Sequence, residues 1–399
     1  MTSRKLIGTL HLWLGLASGL VVFIVSLTGC LYVFETEIQS LYDQSYTTVR
    51  AQSGPRLPVS DLARIGQQAL DSELKTTVKP EYANVTLYTA PTKAAYYYVY
   101  GQEGKLYHYV HLNPYTGQVL KVRDMNRDPF AIIVQLHTSL LLPHEIGHQV
   151  VGISVLVFVI SLLTGLVLWW PRNKAALKQR FTVKWSARWR RINYDSHNVF
   201  GFYSLIPALL IALTGLVWSY EWVGKGVHFL FTGNTNAPTY VEPVSVKKTT
   251  RPANTVDRAF GQIANRYPQA ASYYVGLPVA DTSSIQVGVS PDLKTYYRDS
   301  YFYFDQYSGK LLKQERWETQ NRGEKVRSMN YDIHVGRILG LPGQLLAFFA
   351  SLVCASLPIT GFLIWWGRRR KACKDIKNIG PMATTQPKRR PVYQIQRST

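Results

Sequence analysis

Four of the nine histidines stand at matched positions, and the match gives them chemical meaning. His11-Leu-Trp-Leu-Gly15 leads to Thr28-Gly29 and His197-Asn-Val-Phe-Gly201 leads to Thr214-Gly215, with 17 residues from histidine to threonine in both. A second layout joins His137 to Thr164-Gly165 over 27 residues and His334 to Thr360-Gly361 over 26, followed by Trp169-Trp170 and Trp365-Trp366. Repeat symmetry sorts the four into two pairs, His11 with His197 and His137 with His334. Two neutral imidazoles converging from opposite helices each supply one nitrogen to an axial position of a haem iron. The pattern therefore predicts two b-type haems, bound without covalent attachment because Cys-x-x-Cys-His is absent. The plainer alternative is a duplication that copied ligand-free interfacial histidines. Ionisable groups on membrane helices are functional candidates by default, which favours the haem reading.

Residues around the pairs extend this reading. Arg337, one turn past His334, could hold a haem propionate by a charge-assisted hydrogen bond, or simply snorkel. His144 and His148 share a helix face, so His148 is an alternative to His137 as ligand. Gly15 and Gly201, four residues after a histidine, leave room for a flat macrocycle or for close helix packing. The Thr-Gly pairs read as helix-packing points, with each hydroxyl bonded to its own preceding turn, and the Trp pairs as aromatic-belt anchors. His108, His111 and His228 have no partner in the other half and are expected at the surface. No residue is expected to act as a catalytic acid or base.

The elements that must position these residues are apolar. Leu12–Phe34, Val150–Trp170, Asn198–Tyr220 and Ile338–Trp366 lack Asp, Glu, Lys and Arg. Each exceeds the roughly 20 residues of a membrane-spanning helix. The formal charge of +21 gathers beside the helix ends, at Arg4 and Lys5, over 172–191 and over 368–377. That placement marks cytoplasmic, lipid-contacting segments of an inner-membrane protein and argues against nucleic acid as a partner. The resulting plan is a cytoplasmic N-terminus (1–9), first span (10–34), periplasmic domain (35–136), interfacial segment and second span (137–170) and basic cytoplasmic loop (171–196). The third span (197–222), second periplasmic domain (223–333), fourth span (334–366) and basic cytoplasmic tail (367–399) complete it. Both termini are thus expected in the cytoplasm. Leu27-Thr28-Gly29-Cys30 imitates a lipoprotein cleavage site. Its apolar run is longer than a signal core of about 7–15 residues, however, and Leu-Thr-Gly recurs at 163–165 and 213–215.

Each outer domain reads as α+β. Helical stretches at Val59–Asp71 and Val256–Arg266 precede alternating strands broken at turn glycines Gly117 and Gly309. Cys30, Cys354 and Cys373 all lie outside these domains, so no disulfide framework supports them. The fold class is a four-helix transmembrane bundle with two periplasmic α+β domains. Because each copy contains two spans, the copies form a parallel internal duplication about an axis along the membrane normal.

These motifs, with Leu136-His137-Thr-Ser-Leu-Leu, Trp170-Pro171 and His334-Val-Gly-Arg337, resemble the PepSY-associated transmembrane family over about residues 5–370. Asn113-Pro-Tyr-Thr-Gly117 and Asp305-Gln-Tyr-Ser-Gly309 look like PepSY turns, with Asn113 and Gln306 departing from an Asp-Pro-x-Thr-Gly pattern. The resemblance extends to FoxB-type siderophore-iron reductases. It implies a two-haem oxidoreductase that reduces a ferric siderophore or other iron chelate in the periplasm, with His11/His197 and His137/His334 as the haem sites. No glycine-rich nucleotide loop follows Arg370, so electrons would come from a separate cytoplasmic donor. The alternative is a haem-free membrane regulator whose PepSY domains bind a peptide or protease. A transporter is disfavoured, because no charged residue lies within the apolar runs.

Overall fold

The computed structural model describes residues 2–171, 177, 179–234, 241–249, 252 and 254–378. Arg172, Lys174 and Lys178 of the basic loop lie outside them. Among the described residues, three helices are long and apolar enough to cross a membrane: α1 (Ser3–Val33), α6 (His144–Trp169) and the Leu341–Arg370 part of α12 (Leu341–Asn378). The stretch expected as a single third span is two helices, α7 (Trp189–Tyr203) and α8 (Leu205–Ser219), bent by 63°. Pro207 accounts for the break. It has no N–H for the Tyr203 carbonyl, and its ring crowds that oxygen. α1 packs against α6 and α12, α8 against α6, and α7 against α12. Short helices α2 (Glu35–Tyr42) and α3 (Gln44–Thr47) follow α1, and α9 (Glu221–Thr232) follows α8.

The second and fourth spans begin later than their histidines. His137 is on a short helix, α5 (Pro129–Ser139), and His334 ends another, α11 (Arg322–His334). Asp128 caps α5 by accepting from the Phe130 and Ala131 amides, and an Asn321/Glu324 capping box opens α11. Left-handed residues then turn the chain into the span: Leu140 and Leu141 after α5, and Gly336 (φ 79°) after α11. These corners are tight. A Cβ on Gly147 would stand 2.0 Å from the Ser139 carbonyl oxygen, and one on Gly343 would stand 2.1 Å from that of Gly336.

Outside the helices, the two expected α+β domains share one sheet. β1 (Tyr82–Tyr88), β2 (Ala95–Gly101), β3 (Leu106–Leu112) and β4 (Val119–Asp124) come from the first half. β5 (Ser272–Gly276), β6 (Ser284–Ser290), β7 (Ser300–Asp305) and β8 (Leu311–Glu315) come from the second. The order is β4-β3-β2-β1-β5-β6-β7-β8, with β1 antiparallel to β5 from Asn84↔Gly276 to Tyr88↔Ser272. Each half has an open strand edge, and pairing the two satisfies both rows of backbone groups.

Strand alternation divides the sheet into two unlike faces. Val85, Val99, Val110, Val275, Val287 and Phe302 are fully buried beneath α4 (Val59–Leu74) and α10 (Thr255–Arg266). The opposite face carries Tyr96, Tyr98 and Tyr100 beside Tyr107, Tyr109 and His111, and across the seam Tyr274, Tyr301 and Tyr303. The PepSY-like turns form as expected: Asn113 Oδ1 accepts from the Tyr115 amide at 2.9 Å, as Asp305 Oδ1 accepts from the Tyr307 amide in the second turn. Gln306, where a proline has no N–H, donates its amide to Ser245 and its side chain to the Ala280 and Ser283 carbonyls.

Arg123 joins the sheet to the helices. It pairs with Asp43 at 3.0 Å and with Asp128, the cap of α5, and both carboxylates are buried. Arg123→Ala would leave two buried charges without their partner. A stability loss of about 3–5 kcal/mol is expected, seen as a fall in the thermal unfolding midpoint of the sheet.

Candidate functional site

The structure brings the four matched histidines together in the two pairs read from the repeat. The His11 and His197 ring centres are 6.4 Å apart with planes at 81°, and those of His137 and His334 are 6.1 Å apart at 78°. An atom bound between two imidazoles with metal–nitrogen bonds of about 2.0 Å would place the ring centres about 6 Å apart. The pairs lie at opposite ends of the helices. Along α1, His11 and the Thr28 that contacts His137 are separated by a rise of about 25 Å.

Each ring is seated by a Thr-Gly pair on a neighbouring helix. His11 Nδ1 lies 3.1 Å from both the Ser161 carbonyl oxygen and Thr164 Oγ1. His137 Nδ1 lies 2.9 Å from the Val25 carbonyl oxygen and 3.1 Å from Thr28 Oγ1. Thr360 Oγ1 is 2.8 Å from His197 Nδ1, and Thr214 Oγ1 is 2.9 Å from His334 Nδ1. Each threonine hydroxyl donates back to its own helix, so its oxygen is left to accept. The Nδ1 atom must therefore carry the hydrogen and donate, which leaves the Nε2 lone pair free as a metal ligand. The glycine that follows makes the seat close. A Cβ on Gly29, Gly165, Gly215 or Gly361 would stand 3.2–3.4 Å from the Cε1 of the seated ring.

The Thr-Gly pairs, expected only to pack helices, thus hold the histidines as well. Their signal was their fourfold recurrence at fixed distances from the histidines. A further layer exists in the second half alone. Asn193 and Asn330, four residues before His197 and His334, donate at 3.1 Å to the backbone carbonyls of Thr360 and Thr214.

The remaining candidates are placed differently. His148 stacks on His144 with centres 5.1 Å apart, and the ring facing His334 is that of His137. Arg337 is buried, donating to Thr36 Oγ1 at 2.7 Å and to the Tyr296 hydroxyl at 3.2 Å. A Cβ on Gly15 would meet no atom within 4 Å, whereas one on Gly201 would approach Leu357 at 3.4 Å. His108, His111 and His228, expected at the surface, are all buried. The strand period places His111 on the tyrosine face. Tyr46 of α3 packs over it with ring centres 4.8 Å apart, a contact that the local pattern does not reveal.

Between the tyrosine face and the helix ends nearest His334 lies a cavity of about 1720 Å³. Its first-half wall includes Tyr96, Tyr109 and His111, and its second-half wall includes Tyr274, Tyr301 and Tyr303. It reaches Asn330 on α11, one turn from His334. It is larger than the 300–1,000 Å³ or so of ordinary small-molecule pockets. Burial, helped by Arg123, pushes His111 down to about 4, so its imidazole is neutral at pH 7. Burial of the tyrosines pushes Tyr96 and Tyr109 up, which keeps their hydroxyls protonated as donors.

The sequence pattern of the PepSY-associated TM region matches residues 9–368. The chain belongs to this family. No curated protein matches it. Membership and the apolar helices establish a membrane protein in which spanning helices carry an antiparallel sheet.

One carboxyl in the cavity wall of this family member titrates unusually. Burial, with Asp332 and Asp292 adding, lifts Asp299 to about 7 against the opposing hydrogen bond from Ser290. An acid raised in the folded state costs stability as pH climbs from its unfolded value near 4 through its folded value near 7. Asp299→Asn should remove that slope. Thermal unfolding should show a gain over the parent at pH 8 that shrinks toward pH 4.

Proposed function

We propose that this protein carries electrons across the bacterial inner membrane through two b-type haems and reduces a ferric siderophore or similar iron chelate in the cavity beneath the sheet. The observation that supports this most is the arrangement of the four histidines: two pairs with ring centres about 6 Å apart, every Nδ1 engaged and every Nε2 left to ligate. Among the described residues no cluster of three or more His, Cys, Asp or Glu side chains gathers for a bare metal ion, so paired imidazoles about a macrocycle suit the donor set better.

His11 with His197 would hold one haem and His137 with His334 the other, and the bound haem supplies one-electron chemistry. The chain supplies the rest. Carbonyl and threonine acceptors fix each tautomer and ring plane, and the surrounding apolar helices exclude water. Protonated tyrosine hydroxyls offer donors to the oxygen atoms of a hydroxamate-type chelate. An aromatic path joins the outer pair to the cavity. Trp218 lies edge-on to His334 at 5.1 Å, Tyr331 lies 6.4 Å from Trp218, and Tyr296, which lines the cavity, lies 5.5 Å from Tyr331. The first half has Val134 where the second has Tyr331, so this path belongs to one half alone.

In this reading the sheet unit is periplasmic, the basic segments and both termini are cytoplasmic, and a separate cytoplasmic protein donates electrons to the His11/His197 site. The two halves descend from a parallel duplication whose two spans per copy make a four-helix bundle.

The test is purification from haem-sufficient cells. Red protein is expected, and because both ring pairs are near-perpendicular, its oxidised form should give a strongly anisotropic low-spin paramagnetic resonance signal. A ferric trihydroxamate should reoxidise the chemically reduced protein. Colourless protein would sink the proposal in favour of a haem-free regulator that binds a peptide or protease.

A further inference from the structure

The floor of the cavity is built from two helices that show it only one face. α2 turns Thr36, Gln39 and Ser40 toward the cavity, while Leu41 (80% exposed) and the partly exposed Ile38 and Tyr42 point away from it. α9 turns Gly224, Lys225, Val227 and His228 toward it, and leaves Phe229, Leu230 (78% exposed) and Trp222, whose ring stacks on Tyr220, exposed on the other side. Both sets follow helical spacing, so the side of each helix turned away from the cavity is apolar. Each also starts two residues after a membrane helix ends, α2 after Val33 of α1 and α9 after Ser219 of α8. Their exposed side chains are therefore continuous with the apolar surface of the spans.

We infer that α2 and α9 lie in the plane of the membrane surface, with their outward residues sunk among the phospholipid acyl chains just below the headgroups. The chemistry fits that occupant. The apolar faces combine leucine with aromatics that favour the interface, and the cavity side of α9 holds the Lys225–Glu221 pair at 2.8 Å above them. The cavity thus rests on two lipid-supported helices at headgroup level. This placement is independent of whether haem is bound.

Spin labelling of the full chain in vesicles of phosphatidylcholine and phosphatidylglycerol tests it, in a Cys373→Ser background where the remaining cysteines, Cys30 and Cys354, are buried. Nitroxides placed through Leu41→Cys and Leu230→Cys should collide readily with dissolved oxygen and be shielded from a neutral nickel chelate. Labels at Ser40→Cys and Lys225→Cys should show the reverse. Ile38→Cys and Trp222→Cys repeat the lipid-facing measurement should either leucine variant fail to fold. Equal nickel access on both sides of the two helices would overturn the inference.

Discussion

His334→Ala is expected to lower the haem content of the purified protein to about half and to abolish its reoxidation by a ferric chelate. In the proposed assignment the variant would remove one of the two imidazoles that would hold the haem beside the cavity, and a single imidazole from His137 cannot complete a bis-histidine site. The His11/His197 pair should keep its haem, since about 25 Å of helix separates the two levels. The pyridine haemochrome of purified protein, set against protein concentration, gives the count. His148→Ala should leave that count unchanged, because His148 stacks on His144 instead of facing His334. Full haem content in His334→Ala would refute the assignment of the outer site.

Gly29→Leu should have a comparable effect without touching a ligand. A Cβ there already comes within 3.3 Å of His137 Cε1, so a leucine side chain takes the space of the ring itself and forces the imidazole off its Val25 and Thr28 acceptors. Loss of the outer haem is expected while His137 is still present. Thr28→Val, nearly the same shape, keeps the ring in place but removes one acceptor from Nδ1–H. Supporting hydrogen bonds of this kind are typically worth about 10–100-fold in affinity, which haem titration of the variant would measure. Wild-type affinity in both variants would show that the Thr-Gly seat serves helix packing alone.

Much of this molecule was readable before its structure. Apolar runs free of charge name their own environment, and the identical His-to-Thr spacing in α1 and in the α7–α8 segment marks their histidines as equivalent positions. Helical and strand periods located α4, α10 and the turns at Gly117 and Gly309 to within a few residues. Other features were hidden because they depend on contacts between distant segments. The break at Ser204 requires seeing that Pro207 ends one helix rather than kinking it. The burial of His111 depends on Tyr46 packing over it from another element, with Arg123 in turn over the Tyr46 ring.

Which four histidines pair follows from the chain's own repeat, since a repeat fixes which positions are equivalent. How those rings are held emerges only on folding, because a threonine 109 positions from His137 supplies its acceptor and no local pattern encodes that approach. The union of the two outer halves in one sheet, with a cavity beneath it, has the same origin. Joining two open strand edges depends on where the spans place them, and chain order alone does not specify that.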